Sequence, residues 1–261
     1  MNAFSFITMN IGGDDKNVFP YISNKRSGQS FERMDISKLA QWEVLFTHAD
    51  KLGMFMHFKT QETENDQLLD GGNLGNERKL YYRELIARFS HHLALNWNIG
   101  EENSNTRAQR LEFAKYFKDN DPYDHPIVIH TFPNPSAKRE VFTELLGARD
   151  YNGISIQASQ KDIFSDTLEW VTRSSRTRRP WVVANDEQAG AGIGIVPDGE
   201  AMDPNHNVAR KNVLWANLLA GGAGVEYYFG FRFPESDLTL QDFRSRDQFW
   251  DQVCCYELEC F

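Results

Sequence analysis

Cysteine is scarce in this chain of 261 residues, and long apolar runs are missing from it. Its three cysteines, Cys254, Cys255 and Cys260, stand together at one end of the chain. They exclude a disulfide framework through the body of the fold, and they lack the spacing of a zinc site. No run reaches the roughly 18 apolar residues that a transmembrane helix needs, so we expect no membrane insertion.

Positive charge is also in short supply, and the formal net charge is −9 at pH 7. Such a chain repels nucleic-acid phosphates and anionic lipid surfaces, so neither is an expected partner. The composition, 41% hydrophobic and 25% charged, is that of a globular protein. Aromatic residues make up 13% of the chain, which suits a deep core together with flat surfaces for sugar rings.

The N-terminus shows no basic segment followed by an apolar segment and a cleavage site, so no signal peptide is visible. The chain opens almost directly into an apolar strand, "AFSFITMNI". We expect the natural protein to extend further on this side.

Short strand-like segments alternate with longer amphipathic segments along the whole chain. Strands are predicted at 4–11, 54–61, 94–100, 126–132, 153–159, 180–185 and 223–231. Helices are predicted at 35–53, with Asp35 or Ser37 as its cap and Gly53 as its stop, and at 76–93, 105–121, 137–147, 162–175, 207–220 and 240–259. The strands are nearly continuous in apolar residues, which is typical of a parallel sheet buried between helices.

Seven such even repeats favour a TIM (β/α)8 barrel over a doubly wound sheet. The first visible strand is then the second of eight, and the first β/α unit is missing. We expect residues 1–261 to form a single catalytic domain that is incomplete at its N-terminus.

Polar side chains follow the predicted strands at their carboxyl ends, where barrels of this kind hold their active sites. They are Asn10, Gln61, Glu62, Glu101, Glu102, His130, Gln157, Asp186, Glu187, Glu226 and Tyr228. Such a ring has many hydrogen-bonding groups and few positive charges, which indicates a carbohydrate ligand. Glycoside hydrolysis requires two carboxyl groups, one protonated and one ionised.

Two adjacent glutamates, Glu101 and Glu102, end the third predicted strand in "LNWNIGEEN". Like charge and partial burial can hold one of two neighbouring carboxyls protonated, which is the state that a general acid needs. The alternative is a solvated turn in which one acid caps the next helix. His130 and Glu226 have similar alternatives, a core histidine and a buried acid with a basic partner.

The segment "WNIGEEN" resembles the "W-S-L-G-N-E-S" segment that ends the fourth strand of clan A glycoside hydrolases. The resemblance implies that Glu102 is the acid/base and that Glu101 replaces the family's Asn. It also implies a nucleophile at the end of the seventh strand, "RPWVVANDEQ", which offers Glu187 with Asp186 as a competitor. Asn185 occupies the position where the family has its Glu. Glu187 lies 85 residues after Glu102, which fits three β/α units of about 30 residues.

Further segments extend this resemblance over the chain. "LLAGGAGVEYYFGF" is similar to the eighth-strand region of apiosidase-like hydrolases. "TMNIGGDDKNVFPY", "HFKTQETENDQLLDGG" and "FRSRD" resemble the barrel of large, mostly secreted bacterial proteins that carry an N-terminal β-sandwich. The resemblance implies a secreted or periplasmic location.

The predicted function is retaining hydrolysis of a poly- or oligosaccharide, with Glu102 as acid/base, Glu187 as nucleophile and the other strand-end side chains orienting hydroxyls. No cofactor and no metal are expected. The alternative is a non-catalytic carbohydrate-binding barrel or an inactive fragment. A metal-dependent barrel hydrolase is a weaker alternative, because its His-x-His ligands are missing.

His91 and His92 close a helix, and we expect them to interact with its dipole. The sequence leaves the sugar and the oligomeric state open.

Overall fold

The computed structural model describes residues 2–13, 18–22, 30–190, 192–233 and 246–254. The chain divides into two compact units, which are described separately. The first unit comprises Asn2–Thr131 and Glu140–Asn152, and the second comprises Phe132–Arg139 and Gly153–Phe261.

Strands and helices alternate along the described residues. The strands are β1 Ala3–Met9, β2 Phe55–Gln61, β3 Leu95–Asn98, β4 Ile127–Ile129, β5 Gly153–Ala158 and β6 Val182–Gln188. The helices are α1 Ile36–Lys51, α2 Asn76–Phe89, α3 Arg107–Asn120, α4 Pro135–Leu145, α5 Ile163–Ser175, α6 Ala216–Leu219 and α7 Asp247–Phe249. A 3-10 turn covers Asp70–Gly72, and π-helical turns cover Ala209–Trp215 and Trp250–Cys254.

The first unit contains strands β1 to β4, which pair in chain order and run parallel. Parallel neighbours require a crossover, and α1, α2 and α3 supply the three crossovers in turn. The register pairs Phe58 of β2 with Phe6 of β1 and with Trp97 of β3. This layer of aromatic side chains fixes the alignment of the three strands.

Strand β2 has two chemically different faces, because successive side chains alternate across a strand. Phe58 packs against Phe46 of α1 and Phe89 of α2, with ring centroids 4.8 and 5.7 Å apart. The side chains of His57 and Lys59 lie on the opposite face of the strand and are buried polar groups. The apolar face therefore holds the helices, while the other face carries polar side chains.

Local signals fix where the helices of the first unit begin. The Asp35 side chain accepts hydrogen bonds from the backbone N–H groups of Ser37 and Lys38, so it caps α1 as the sequence predicts. Gly53, just after α1, adopts a positive φ of 68°, which confirms it as the stop. Thr106 and Gln109 form a capping box at the start of α3.

The second unit contains the parallel pair β5 and β6, and α4 begins in it and ends in the first unit. The pairing of β5 with β6 shifts register between Ile156 and Gln157. The continuous strand predicted at 223–231 is wrong, since the structure makes an isolated parallel bridge there, between Asn185 and Val225, with backbone hydrogen bonds to β6 over residues 223–226. Gly224 and Gly230 have positive φ angles of 152° and 67°, which interrupt extended backbone.

The helix predicted at 240–259 falls partly outside the described residues, and its described part is α7 with the π-helical turn that follows. None of the helices in the described ranges combines the length and the apolar composition that crossing a bilayer requires. Parallel strands that alternate with helices make this an α/β fold, and they are consistent with an α/β barrel. The number of β/α units stays a prediction.

Candidate functional site

An ion pair stands at the carboxyl end of the first unit's sheet. The Lys59 ammonium of β2 lies 2.8 Å from Glu101 Oε1, just beyond β3, and these side chains are 6% and 11% exposed. The Glu101 backbone N–H donates to the Gln61 carbonyl at 2.9 Å, which fixes the start of the loop. The other oxygen, Glu101 Oε2, is buried and has no hydrogen-bond partner among the described residues. Glu101 is thus both anchored and able to accept one more hydrogen bond.

Glu102 occupies a different environment from its neighbour. Gly100 has a φ of 145° and Glu102 a φ of 39°, so the chain turns sharply around Glu101. Glu102 is half-buried, whereas Glu101 is buried. Two adjacent like charges are therefore accommodated here by a turn and by a lysine that pairs with one of them.

The predicted residues after β1 and β2 form a network around Asn65. Asn65 Nδ2 donates to Asn10 Oδ1 at 3.3 Å, and Gln61 Nε2 donates to the Asn65 carbonyl at 2.8 Å. Gln61 Oε1 accepts from Arg78 Nη1 at 2.7 Å. Both ends of the Gln61 amide are thus held by the protein, which stiffens this edge of the sheet. Glu62, the next residue, is half-buried.

His130 follows β4 and is fully buried. Its backbone N–H donates to the Gly100 carbonyl at 3.2 Å, and its carbonyl accepts from Asn103 Nδ2 at 2.9 Å. Arg110 Nε in turn donates to Asn103 Oδ1 at 2.7 Å. The loop after β3 and the end of β4 are consequently joined in one hydrogen-bonded layer.

Buried polar residues on the face of β2 and β3 opposite Phe58 and Trp97 were not predicted as site residues. Asn98 Nδ2 donates to His57 Nε2 at 3.1 Å, and both side chains are buried, as is Lys59. The available signal was the alternation itself, because "HFKTQ" and "LNWN" place polar residues at every second position. Trp97, between the two asparagines, belongs to the opposite face and contacts Phe58 and Phe117 with ring centroids 5.2 Å away.

The second unit gathers its predicted site residues at the ends of β5 and β6. Gln157 is paired in register with Glu187, and Asp186 is the extra residue at the register shift. Asp186 and Glu187 are both buried, so neither is an exposed loop acid. The Lys138 ammonium donates to the Gln157 carbonyl at 3.0 Å and also pairs with Asp166.

Gln188, which sequence reasoning also missed, ties β6 to the segment with Glu226 and Tyr228. Its Nε2 donates to Asn185 Oδ1 at 2.6 Å and to the Glu226 carbonyl at 2.8 Å. Its Oε1 accepts from the Tyr228 backbone N–H at 3.0 Å. Glu226 and Tyr228 are half-buried and are held in position through their backbones. A lone glutamine after two acids carries no periodic signal, so the sequence could not reveal this role.

Buried acceptor atoms lie near the strand ends in both units. Glu101 Oε2 in the first unit and Gln157 Oε1 in the second have no hydrogen-bond partner among the described residues. A buried acceptor left unpaired costs about 1–3 kcal/mol. Hydroxyl groups are among the donors that pair with such acceptors. Glu102 belongs to the first unit and Glu187 to the second, so their pairing in one reaction stays a prediction.

Comparisons with known proteins agree with the fold. No protein-family model matches the chain, and no curated protein is similar to it in sequence. A solved structure described as a "putative glycoside hydrolase", from Bacteroides vulgatus, matches 99% of this chain and 52% of its own, with a TM-score of 0.68 and 16% identity. The GH53 catalytic domain from Ignisphaera aggregans matches over 87% of this chain and 73% of its own, with a TM-score of 0.51 and 14% identity.

The present chain thus spans about half the length of the Bacteroides protein that it matches. At these identities the likeness shows the fold. Two proteins described as glycoside hydrolases share the α/β architecture of this chain.

Proposed function

We propose that this chain is a glycoside hydrolase that cleaves O-glycosidic bonds of a poly- or oligosaccharide. The observation that carries the proposal is the set of carboxyl and amide side chains at the strand ends of a glycoside hydrolase fold. Buried acceptors such as Glu101 Oε2 and Gln157 Oε1 suit the hydroxyl groups of a sugar. No step of this reaction needs a cofactor.

The proposed mechanism is retaining and uses two carboxyl groups. In the first step the Glu187 carboxylate attacks the anomeric carbon while Glu102 gives its proton to the departing glycosidic oxygen. A glycosyl ester on Glu187 and a free alcohol result. In the second step the Glu102 carboxylate takes a proton from water, whose oxygen displaces Glu187 from the sugar.

The remaining predicted residues are proposed to bind substrate. Asn10, Gln61, Glu62, Glu101, His130, Gln157, Asp186, Glu226 and Tyr228 make up this set. Their anchoring through backbone and side-chain hydrogen bonds supports the proposal, because preorganised polar groups lose little entropy when a sugar binds. Glu101 is held by Lys59, and the Tyr228 backbone is held by Gln188.

A glycan-library screen of the chain, followed by Glu102→Gln and Glu187→Gln, tests the proposal. Each substitution is expected to lower kcat by at least about 100-fold, because an amide neither transfers the proton nor attacks carbon. Glu112→Gln, an exposed acid in the middle of α3, is the control and should leave turnover unchanged. Turnover that survives both substitutions would refute the assignment. Proton NMR of the first product tests retention of anomeric configuration.

The second candidate is a carbohydrate-binding barrel without turnover. Two observations favour it: Glu101, at the position of the clan's Asn, is engaged with Lys59, and Asn185 holds the position of the clan's Glu. Glycan binding without hydrolysis by the parent protein, unchanged by Glu102→Gln, is the outcome expected of this candidate.

A further inference from the structure

A group of histidine and carboxylate side chains joins the end of α2 to α1, within the first unit. His91 and His92 follow α2, and Glu43 lies in the middle of α1. One ligand atom from each of these three residues lies within 4.8 Å of the other two. Glu43 Oε1 lies 3.2 Å from His91 Nε2, and Glu43 Oε2 lies 3.1 Å from His92 Nε2.

Both ring nitrogens of His92 face carboxylate oxygens. Its Nδ1 lies 2.5 Å from Asp50 Oδ2, and its Nε2 lies 3.1 Å from Glu43 Oε2. An imidazole that coordinates a metal through one nitrogen usually has a carboxylate or a carbonyl at the other nitrogen. The contact with Asp50 therefore leaves the Glu43 side of the ring as the side on which a metal can bind.

We propose that Glu43, His91 and His92 form a binding site for a divalent transition-metal ion, with Zn²⁺ as the preferred metal. Two imidazoles and one carboxylate are a ligand set that zinc uses, with a fourth position left for water. Zinc–ligand bonds of about 2.0–2.2 Å in tetrahedral geometry put neighbouring ligand atoms roughly 3.3 Å apart. The two imidazole–carboxylate distances are close to that spacing.

Supporting contacts orient the ligands as metal sites require. The Asp50 carboxylate contacts His92 Nδ1 and holds the ring with its Nε2 towards Glu43. The Thr47 hydroxyl donates to Glu43 Oε1 at 3.1 Å and holds that carboxylate in place. Glu43 and Asp50 together bring two formal negative charges to the group, which favours a divalent cation.

The burial of the group suits an ion that links α1 to the end of α2 at the protein surface. The His92 side chain is 1% exposed, whereas that of His91 is 49% exposed, so the site is closed on one side and open to solvent on the other. Coordination would fix the turn after α2 against α1. The site is independent of the strand-end carboxylates proposed for glycan hydrolysis.

The test uses the whole chain, stripped of metal with a chelator and dialysed. Zn²⁺ alone is titrated by calorimetry and in thermal unfolding, and Co²⁺ alone is followed by visible absorption, which reports tetrahedral nitrogen and oxygen ligands. The parent protein is expected to bind one ion at this site and to gain thermal stability. His91→Ala, an exposed position that the fold tolerates, is expected to weaken Zn²⁺ binding by at least about 100-fold and to abolish the cobalt spectrum.

His48→Ala is the matched control, because His48 is an exposed histidine on α1, the helix that carries Glu43, and contributes no ligand to the group. It should bind Zn²⁺ as the parent does, and Glu43→Gln should behave like His91→Ala. Equal Zn²⁺ binding by the parent and His91→Ala, or none by the parent, would overturn the proposal. The contacts of His91 and His92 with the two carboxylates would then be hydrogen bonds without a metal role.

Discussion

Lys59 and Glu101 form a buried ion pair at the end of the first unit's sheet, and each charge depends on the other. Their separation is 2.8 Å, and both side chains are nearly removed from solvent. At such a site, desolvation costs offset most of the attraction, so the pair contributes little net stability. Loss of Lys59 alone is different, because the buried Glu101 carboxylate then loses the cation that is paired with it.

Lys59→Met is therefore expected to lower the free energy of unfolding by about 3–5 kcal/mol, measured by urea denaturation at pH 7. The double variant Lys59→Met/Glu101→Leu should recover much of that loss, since neither charge remains. Lys115→Met breaks an exposed pair with Asp119 and should cost no more than about 1 kcal/mol. A double variant as unstable as the single one would show that the ion pair is not the cause.

The pKa of Asp121 leads to a prediction about how stability depends on pH. Burial is the largest influence and raises the pKa of Asp121, but hydrogen bonds from His125, Trp97 and the Tyr123 N–H outweigh it and lower the pKa below its usual value. A pKa below the unfolded value of about 3.9 stabilises the fold above that pH. The stabilisation is lost as pH falls through the folded pKa.

Asp121→Asn should consequently lower the unfolding free energy at pH 7 by about 2 kcal/mol. Below about pH 4 the parent loses this contribution as well, so the two stability curves should converge in acid. Asp119→Asn, an exposed acid two residues earlier, is the control and should run parallel to the parent. Curves that stay equally far apart from pH 7 to pH 3 would contradict the assignment.

At the scale of elements, the turn after β3 decides how the two glutamates are presented. Gly100 has a φ of 145°, a conformation that side-chain-bearing residues rarely adopt. A Cβ on Gly100 would lie 2.8 Å from Asn103 Cβ. Asn103 is itself fixed by hydrogen bonds to the His130 carbonyl and from Arg110, so it has little room to yield.

Gly100→Ala is thus expected to destabilise the protein by more than about 2 kcal/mol, from backbone strain together with the contact. Gly224→Ala is the matched control, because Gly224 has a similar φ of 152° but no atom within 4 Å of the added Cβ. It should cost only the backbone strain, about 1–3 kcal/mol. Equal losses in chemical denaturation would show that the contact with Asn103 contributes nothing.

Elements that depend on local signals were predictable from the sequence, and those that depend on distant contacts were not. Asp35 and Gly53 bound α1 as predicted, and the predicted strand 54–61 corresponds to β2 within one residue. The bridge between Asn185 and Val225 replaces a predicted strand, because positive φ angles at glycines broke a pattern that hydrophobicity alone favoured.

In the candidate site, too, local signals were predictable and distant contacts were not. Strand ends could be located from the pattern, so the carboxylates and amides there were found. The lysine that holds Glu101 comes from another strand, 42 residues earlier in the chain, and only the folded register brings the two together. Gln188 was missed for a similar reason, since two of its three hydrogen bonds depend on a segment about 40 residues away.

On the scale of the whole molecule, an α/β architecture is shared with two proteins described as glycoside hydrolases, at 16% and 14% identity. Such a likeness is consistent with packing rules that many sequences satisfy, in which apolar strand faces meet apolar helix faces. The reaction and the choice of substrate then depend on the side chains at the strand ends and on the overall charge. The overall charge leads to a prediction about which substrates react faster.

With a net charge of −9, the protein repels anionic polymers over distances comparable to the Debye length, about 10 Å at 0.1 M salt and about 3 Å at 1 M. A neutral glycan that the protein hydrolyses should show a kcat/KM independent of salt. Its uronic-acid counterpart should react more slowly at low salt, and the ratio of the two rate constants should approach a plateau as salt increases. Measuring both substrates across a sodium chloride series checks this. An acidic glycan favoured at low salt would mean that a local cationic group, rather than the net charge, governs substrate approach.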